Sequence, residues 1–275
     1  MLILPEFTHL PKAIAIDLDG TLLNSRLKVS DRNRSALQNC IEKKIPVIIA
    51  TSRPVRSVRR HLLGEELTQR CSLVLMNGAL AFGTPPLSGS YREALPVGIA
   101  REVIDYALDF DPHIRITIEI DGYDFGANWT ADASSLWKAT PDMIVSIDDA
   151  LTRNPCKIAL GGGDIAMLGK RLEGRFGNSL SIVWAKIENP LINITSLAAT
   201  KPAALHRLLE PHGISLDNVI AFGDDFPDIE MLRSCGISVA MANAFPEVTA
   251  ICPYQTAGND EDGVALVLEK MLKLM

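Results

Sequence analysis

Lys12-Ala13-Ile14-Ala15-Ile16-Asp17-Leu18-Asp19-Gly20-Thr21 is the stretch that decides how this chain folds. After Lys12 comes a short apolar run, the pattern of a strand buried on both faces of a parallel sheet. Two carboxylates at i and i+2 then stand at its C-terminal end, and a glycine lets the chain turn sharply away. Open parallel sheets bind ligands at that edge. Like charges so close repel, and burial sharpens the repulsion unless a cation neutralises them. The stretch therefore predicts a metal at a sheet edge and points to phosphate chemistry.

Outward from it, strand and helix alternate. A helix over 30–44 opens at Ser30 as N-cap, Pro46-Val47-Ile48-Ile49-Ala50-Thr51 reads as the next strand, Pro54 begins a helix, and Leu73-Val74-Leu75-Met76 is a third strand. The last quarter repeats the pattern: a helix over about 201–210, the strand Asn218–Phe222, a helix over about 228–234, the strand Ile237–Met241 and a helix from Gly263. Such alternation implies an α/β core, a doubly wound and mainly parallel sheet covered on both faces. The middle differs. After the turn-rich stretch 83–90 come a helix over about 97–109, the alternating half-exposed strand Arg115–Ile120, the strand Ile158–Leu160, a helix over about 164–175 and the strands Ser181–Trp184 and Leu191–Ile194. This reads as an inserted α+β domain, 83–190, between core segments 1–82 and 191–275.

With 275 residues the chain is long enough for two domains, and its net charge of −6 gives no electrostatic footprint for nucleic acid or a membrane surface. The five cysteines are scattered with no Cys-x-x-Cys pair, so they indicate neither a disulfide framework nor a zinc site. The N-terminus lacks a basic, then apolar, leader, and the expected location is the cytoplasm. Arg53, Arg56, Arg59 and Arg60 read as the solvated basic face of a helix, with Arg53 near enough to the crevice to touch substrate. Trp129, Trp137 and Trp184 read as core of the inserted domain.

Four clusters stand at the C-terminal ends of predicted core strands or open a core helix: Asp17/Asp19, Thr51-Ser52-Arg53, Lys201, and Gly223-Asp224-Asp225-Phe226-Pro227-Asp228. Together they suit phosphoryl transfer. Asp17 can attack phosphorus to form an aspartyl phosphate, and Asp19 can protonate the leaving oxygen and later deprotonate water. Asp17, Asp224 and Asp228 suit Mg2+, which takes carboxylates plus a substrate phosphate. Thr51 and Lys201 can donate to the non-bridging oxygens.

Asp-x-Asp-Gly-Thr, a strand ending in Thr, a distant Lys and Gly-Asp-x-x-x-Asp, in that order, resemble the four motifs of the haloacid dehalogenase-like superfamily. The insertion between the second and third motifs resembles the Cof-type phosphatases with a large α/β cap. Met76-Asn77-Gly78-Ala79, Val239-Ala240-Met241-Ala242-Asn243-Ala244 and Glu261-Asp262-Gly263-Val264-Ala265 resemble further signatures of that type. The resemblance implies a Rossmann-like core, Mg2+ and hydrolysis of a small phosphorylated metabolite such as a sugar phosphate. It implies Asp17 as nucleophile, Asp19 as acid/base with its carbonyl facing the metal, Thr51 and Lys201 on the phosphate, and Asp224 and Asp228 as late metal ligands. Gly20, Ser52, Arg53, Asn77 and Asn243 are expected on the substrate side. A sugar phosphomutase or a non-hydrolytic aspartyl-phosphate signalling protein are the alternatives. Two departures stand out: Ser52 where the family has Gly, and Pro227 where it has Asn.

Overall fold

The structure, a computed structural model, describes residues 2–59, 64–130, 140–185 and 190–274; Arg60 and Trp137 lie outside them. Its strands in chain order are β1 (Ala13–Ile16), β2 (Val47–Ala50), β3 (Ser72–Leu75), β4 (Leu80–Phe82), β5 (Ser90–Arg92), β6 (Arg115–Glu119), β7 (Phe125–Ala127), β8 (Ile144–Val145), β9 (Lys157–Gly161), β10 (Leu180–Ala185), β11 (Leu191–Ser196), β12 (Val219–Gly223), β13 (Ile237–Ala240) and β14 (Tyr254–Gln255). They belong to two compact units. One comprises Met1–Ser52, Val58–Tyr91 and Thr200–Met275, the other Arg53–Ser57 and Arg92–Ala199. The boundaries expected at 82/83 and 190/191 thus fall at 91/92 and 199/200. The reason is pairing: β4 and β5 extend the first sheet, and β11 pairs with β9 and β10 in the second.

In the first unit the strand order is β14-β13-β12-β1-β2-β3-β4-β5. Every pair from β14 to β3 is parallel, and β4 turns back antiparallel on β3. All four residues of β1 and of β2 are buried, as strands covered on both faces require. Alternate side chains serve the two faces. Ala13, Ala15, Ile48, Ala50 and Val74 share a core with Ala204, Leu205 and Leu208 of helix Lys201–Leu209 and with Met231 and Leu232 of helix Ile229–Ser234. Ile14, Ile16, Val47 and Ile49 point to the opposite layer. Helix Asp31–Glu42 packs on β2 and against helix Gly263–Leu272. Ser30 caps it as expected, its Oγ accepting from Asn33 N at 3.1 Å. From β1 the chain proceeds outward through β2 and β3, and later in the opposite direction through β12, β13 and β14. The β1/β12 border is therefore the switch point of the sheet, where ligands bind.

The second unit's sheet has the order β10-β11-β9-β6-β7-β8, antiparallel except between β7 and β8. Helices Val97–Phe110, Ile147–Thr152 and Ile165–Phe176 contribute to a core with Ile116, Ile118, Ile158, Leu160, Ile192 and Ile194. Trp184 packs at the edge of this core, and Trp129 Nε1 donates to Thr117 Oγ1 at 3.0 Å. Two expectations are corrected here. β6 is not half-exposed: flanked by β9 and β7, it buries Thr117 and Glu119 along with its isoleucines. Nor is Arg56 a solvated residue. It is 0% exposed and forks onto Glu119, with Nη1 and Nη2 each 2.6 Å from a carboxylate oxygen. Its guanidinium also lies 4.4 Å from the centre of the Phe125 ring, a cation–π contact. Among the described residues no helix is long and apolar enough to cross a membrane.

Candidate active site

Asp17 is the first residue beyond β1, and its N–H continues the ladder by donating to Phe222 O of β12 at 3.1 Å. Asp224 follows the end of β12 directly, so the two carboxylates meet across the switch point. Two glycines permit the approach. Gly20 sits at φ +80°, and a Cβ there would stand 2.2 Å from Asp224 Oδ2. At Gly223 a Cβ would stand 2.6 Å from that of Asp228, so only glycine lets the loop fold back over itself.

The loop after β12 answers the question raised by Pro227. Phe226–Asp228 is one 3₁₀ turn with Asp225 as its N-cap and Pro227 in its first turn. An N–H there has no acceptor within the turn, so proline loses nothing. Asp225 Oδ1 accepts from Phe226 N at 2.7 Å. Asp228 returns the favour, its Oδ2 accepting from the N–H groups of Asp224 and Asp225 at 3.1 and 3.2 Å. The position of Asp228 is thereby fixed by backbone, without the asparagine.

Helix Lys201–Leu209 delivers the cation. Thr200 caps it, with Oγ1 accepting from Ala203 N at 3.2 Å, and Pro202 occupies its first turn. Lys201 Nζ bridges two carboxylates, 2.7 Å from Asp17 Oδ1 and 2.6 Å from Asp228 Oδ1. Thr21 Oγ1 donates to Asp224 Oδ1 at 2.7 Å. Oxygen atoms of Asp17, Asp224 and Asp228 lie within 4.8 Å of one another.

These charges are all buried: Asp17 is 7%, Asp224 9%, Asp228 1% and Lys201 3% exposed. Desolvation, with Asp228 and Asp224 adding repulsion against the pull of Lys201, holds the Asp17 carboxyl well above the usual range. Burial likewise pushes Asp224 up to about 7, partly offset by the Thr21 hydrogen bond. Burial alone would lower Lys201, but Asp17 and Asp228 hold it above its ordinary value. Three carboxylates against one ammonium leave negative charge over. Asp228 has both oxygens engaged, whereas Asp17 Oδ2 and Asp224 Oδ2 accept no hydrogen bond from the described residues. A buried, all-oxygen, net-negative donor set fits a small hard cation such as Mg2+.

The remaining expected residues lie as follows. Asp19 is half-buried two residues beyond Asp17. Thr51 is buried at the end of β2, the strand beside β1; its N–H donates to Val74 O at 2.8 Å and its carbonyl accepts from Asn77 N at 3.2 Å. Asn77 itself has left-handed φ of 59° after β3, and its Oδ1 is buried with no partner among the described residues. Ser52 is the last residue of its segment in the first unit, and Arg53 belongs to the second, donating from Nη1 to Ser57 Oγ at 3.3 Å. Asn243 bonds the carbonyl of Gly20. Two further residues shape the site: Thr21, which bonds Asp224, and Thr200, which caps the Lys201 helix. Thr21 could have been found from its place in the Asp-x-Asp-Gly-Thr run, and Thr200 as a cap residue before Lys201-Pro202.

Residues 14–268 match the family model described as haloacid dehalogenase-like hydrolase. Among curated proteins, the chain is 29% identical over 255 residues to the 5-amino-6-(5-phospho-D-ribitylamino)uracil phosphatase YcsE of Bacillus subtilis, covering 92% of this chain and 93% of the other. It is 26% identical over 267 residues to the pyridoxal phosphate phosphatase YbhA of Escherichia coli, covering 92% and 96%. Among solved structures, a haloacid dehalogenase-like hydrolase from Bacteroides thetaiotaomicron superposes with a TM-score of 0.78 at 26% identity, over 94% of this chain and 99% of that one.

Proposed function

Because the chain belongs to the haloacid dehalogenase-like hydrolase family, we propose that it is a cytoplasmic Mg2+-dependent phosphatase that cleaves a small phosphorylated metabolite through an aspartyl phosphate. The observation that carries this is the Lys201 bridge at the switch point, which fixes Asp17 beside Asp224 and Asp228 with negative charge left over.

Asp17 attacks phosphorus: a carboxylate O–P bond forms as the bond to the leaving oxygen breaks, and Asp19 hands that oxygen its proton. Water then attacks the acyl phosphate, Asp19 takes the proton, and the Asp17 carboxylate and inorganic phosphate are released. Lys201, held by Asp17 and Asp228, supplies positive charge to the non-bridging oxygens, with Thr51 as the donor at the end of β2. Asp17 and Asp224, with the carbonyl of Asp19, would hold Mg2+, and Asp228 would serve directly or through water. When bound, the ion supplies the charge that lets an anionic nucleophile approach an anionic phosphate. Ser52, Arg53 and Asn77 remain the candidate substrate-side residues, whereas the Asn243 amide is engaged by Gly20 O and Asn259 N. The phosphatases named among the relatives make sugar-like, nucleotide-like and pyridoxal phosphates the first substrates to try.

The test is release of inorganic phosphate from such a panel with and without Mg2+, in the native chain and in Asp17→Asn. Metal-dependent release that the variant lacks, with no phosphorylated isomer formed, is expected. Equal release by Asp17→Asn would overturn the assignment of the nucleophile.

A further inference from the structure

Two of the signature stretches, around Asn243 and Glu261-Asp262, take no part in the reaction above. We infer that Asn243 and residues 259–262 form a clamp whose task is to position Asp19, making Asn243 and Asn259 positioning residues for the acid/base step.

The chain from Leu18 to Ser30 is a compact loop closed on itself. Leu23 N donates to Leu18 O at 2.9 Å, Asn24 N to Lys28 O at 3.0 Å, and Asn24 Oδ1 accepts from Arg26 N and Lys28 N at 3.0 and 3.1 Å. Asp19 stands in the first limb of this loop, between Leu18 and the left-handed Gly20, and it is only half-buried. Its own strand does not extend to it, because the β1 ladder ends at Asp17; a bridge to Leu23 ties it into the loop. The loop that carries it is in turn gripped from more than 200 residues further along the chain. Asn243 Nδ2 donates to the Gly20 carbonyl at 2.8 Å, and Asn243 Oδ1 accepts from Asn259 N at 3.0 Å. Asn259 Nδ2 donates to the Leu23 carbonyl at 2.8 Å, so one asparagine pair grips both limbs of the loop. Further out, Ser25 N donates to Asp260 Oδ1 at 2.8 Å and Ser30 Oγ to Asp262 Oδ1 at 2.5 Å.

The gripping segment is itself stiff. Asn259–Glu261 is a 3₁₀ turn in which Glu261 Oε2 accepts from Gly258 N at 3.2 Å, and Asp262, at φ 58°, leads into helix Gly263–Leu272. A rigid helix start thus reads out, through four side chains, where the acid/base carboxylate stands. General acid catalysis demands hydrogen-bond contact with the leaving oxygen, and a displacement of about 1 Å costs up to about 10²-fold in rate.

The inference rests on Asp19 being the acid/base, and the test separates the two. Turnover is compared on glycerol 2-phosphate, whose alkoxide must be protonated to leave, and on p-nitrophenyl phosphate, whose phenolate leaves unaided. Asp19→Ala must first show the larger loss on the alkyl ester; if it does not, the reading of Asp19 is wrong and the clamp falls with it. Given that loss, Asn243→Ala and Asn259→Ala should each lower the alkyl-to-aryl ratio of kcat about tenfold with KM nearly unchanged. An equal fall on both esters, an unchanged ratio, or a rise confined to KM overturns the clamp. Should either asparagine variant fail to fold, Asp260→Ala, at an exposed position that holds only the Ser25 end, is read by the same ratio and is expected to lower it severalfold.

Discussion

Each unit buries a cluster of charges, and the two clusters differ in how their charges are settled. In the first unit Asp17 and Asp228 share one ammonium at a sheet edge, with Asp224 beside them. In the second, Arg56 forks onto Glu119 with both side chains 0% exposed, and Lys157 stands opposite Glu119 across the β6–β9 ladder. The first cluster is short of a cation, and burial, with repulsion from neighbouring carboxylates added, drives the carboxyls of Asp17 and Asp224 up. The second is satisfied by geometry: a planar guanidinium matches a carboxylate fork and an aromatic face. Burial of charge is thus common to both clusters. What sets the first apart is a deficit at the sheet's switch point, of the sign that a small ion can cure.

The largest effect expected is on turnover. Asp17→Asn keeps the size and shape of the side chain while removing the proposed nucleophile, and kcat should fall by about 10⁴-fold or more, which is about 5.5 kcal/mol. No change at Arg56 should act on the chemistry by such a factor. If a folded Arg56→Met variant loses turnover as severely, the separation of the clusters into chemical and structural fails.

Next come the variants that strip each cluster of a cation. Arg56→Met leaves Glu119 buried without its fork and should destabilise the fold by about 3–5 kcal/mol in chemical denaturation. Lys201→Met should cost a comparable amount without metal, but saturating Mg2+ should restore part of it, because an ion can replace the missing charge there. Equal behaviour of the two variants toward Mg2+ would remove the contrast. In the native chain, Mg2+ at about 100 times its Kd should add about 2.7 kcal/mol. At a fixed Mg2+ concentration the gain should be larger at pH 8 than at pH 6, since a proton competes for an Asp224 carboxyl pushed up to about 7 and weakens binding at the lower pH. Thermal unfolding with and without chelator at both pH values measures it.

How much of this was legible in the sequence follows the same division. The first cluster was readable because each member stands directly beyond an apolar strand or opens a helix, and a parallel sheet brings such ends to one edge. Even the worrying Pro227 sits where the first turn of a helix tolerates it. The second cluster was not readable. Arg56 looked like one arginine of a basic helical face because its partner is 63 residues away, and charge spacing carries no information about a distant carboxylate. Glu119 looked like the polar side of a half-exposed strand because alternation cannot tell a strand flanked on both sides from one at an edge. The grip of Asn243 and Asn259 on the Asp19 loop was hidden for the same reason: only the chain's return from β13 brings them there.

The smallest effect is the most specific to the second cluster. Lys157 is pushed down from 10.5 to about 8, first by burial, with Arg56 and Arg53 adding to the shift and Glu119 opposing it. A lysine whose folded pKa is depressed binds its proton more tightly in the unfolded chain. Below about pH 8 both states are charged and the full cost of burying the ammonium is present; between about 8 and 10.5 the folded state has shed the proton and the unfolded state has not. In that window the unfolded chain holds more protons, so stability contributed by this group rises with pH. Lys157→Met keeps the stem and removes the titration. It should be more stable than the native chain at pH 7 by on the order of 3 kcal/mol, and the gap should close as pH is raised to 10.5. Because tyrosines and other lysines titrate in the same range, the quantity to measure is the difference between the two proteins in urea midpoint at each pH. A gap that stays constant from pH 7 to 10.5 would mean that Lys157 is charged throughout, held by its neighbours as firmly as Lys201 is held by Asp17 and Asp228. The two clusters would then differ only in the sign of what they lack.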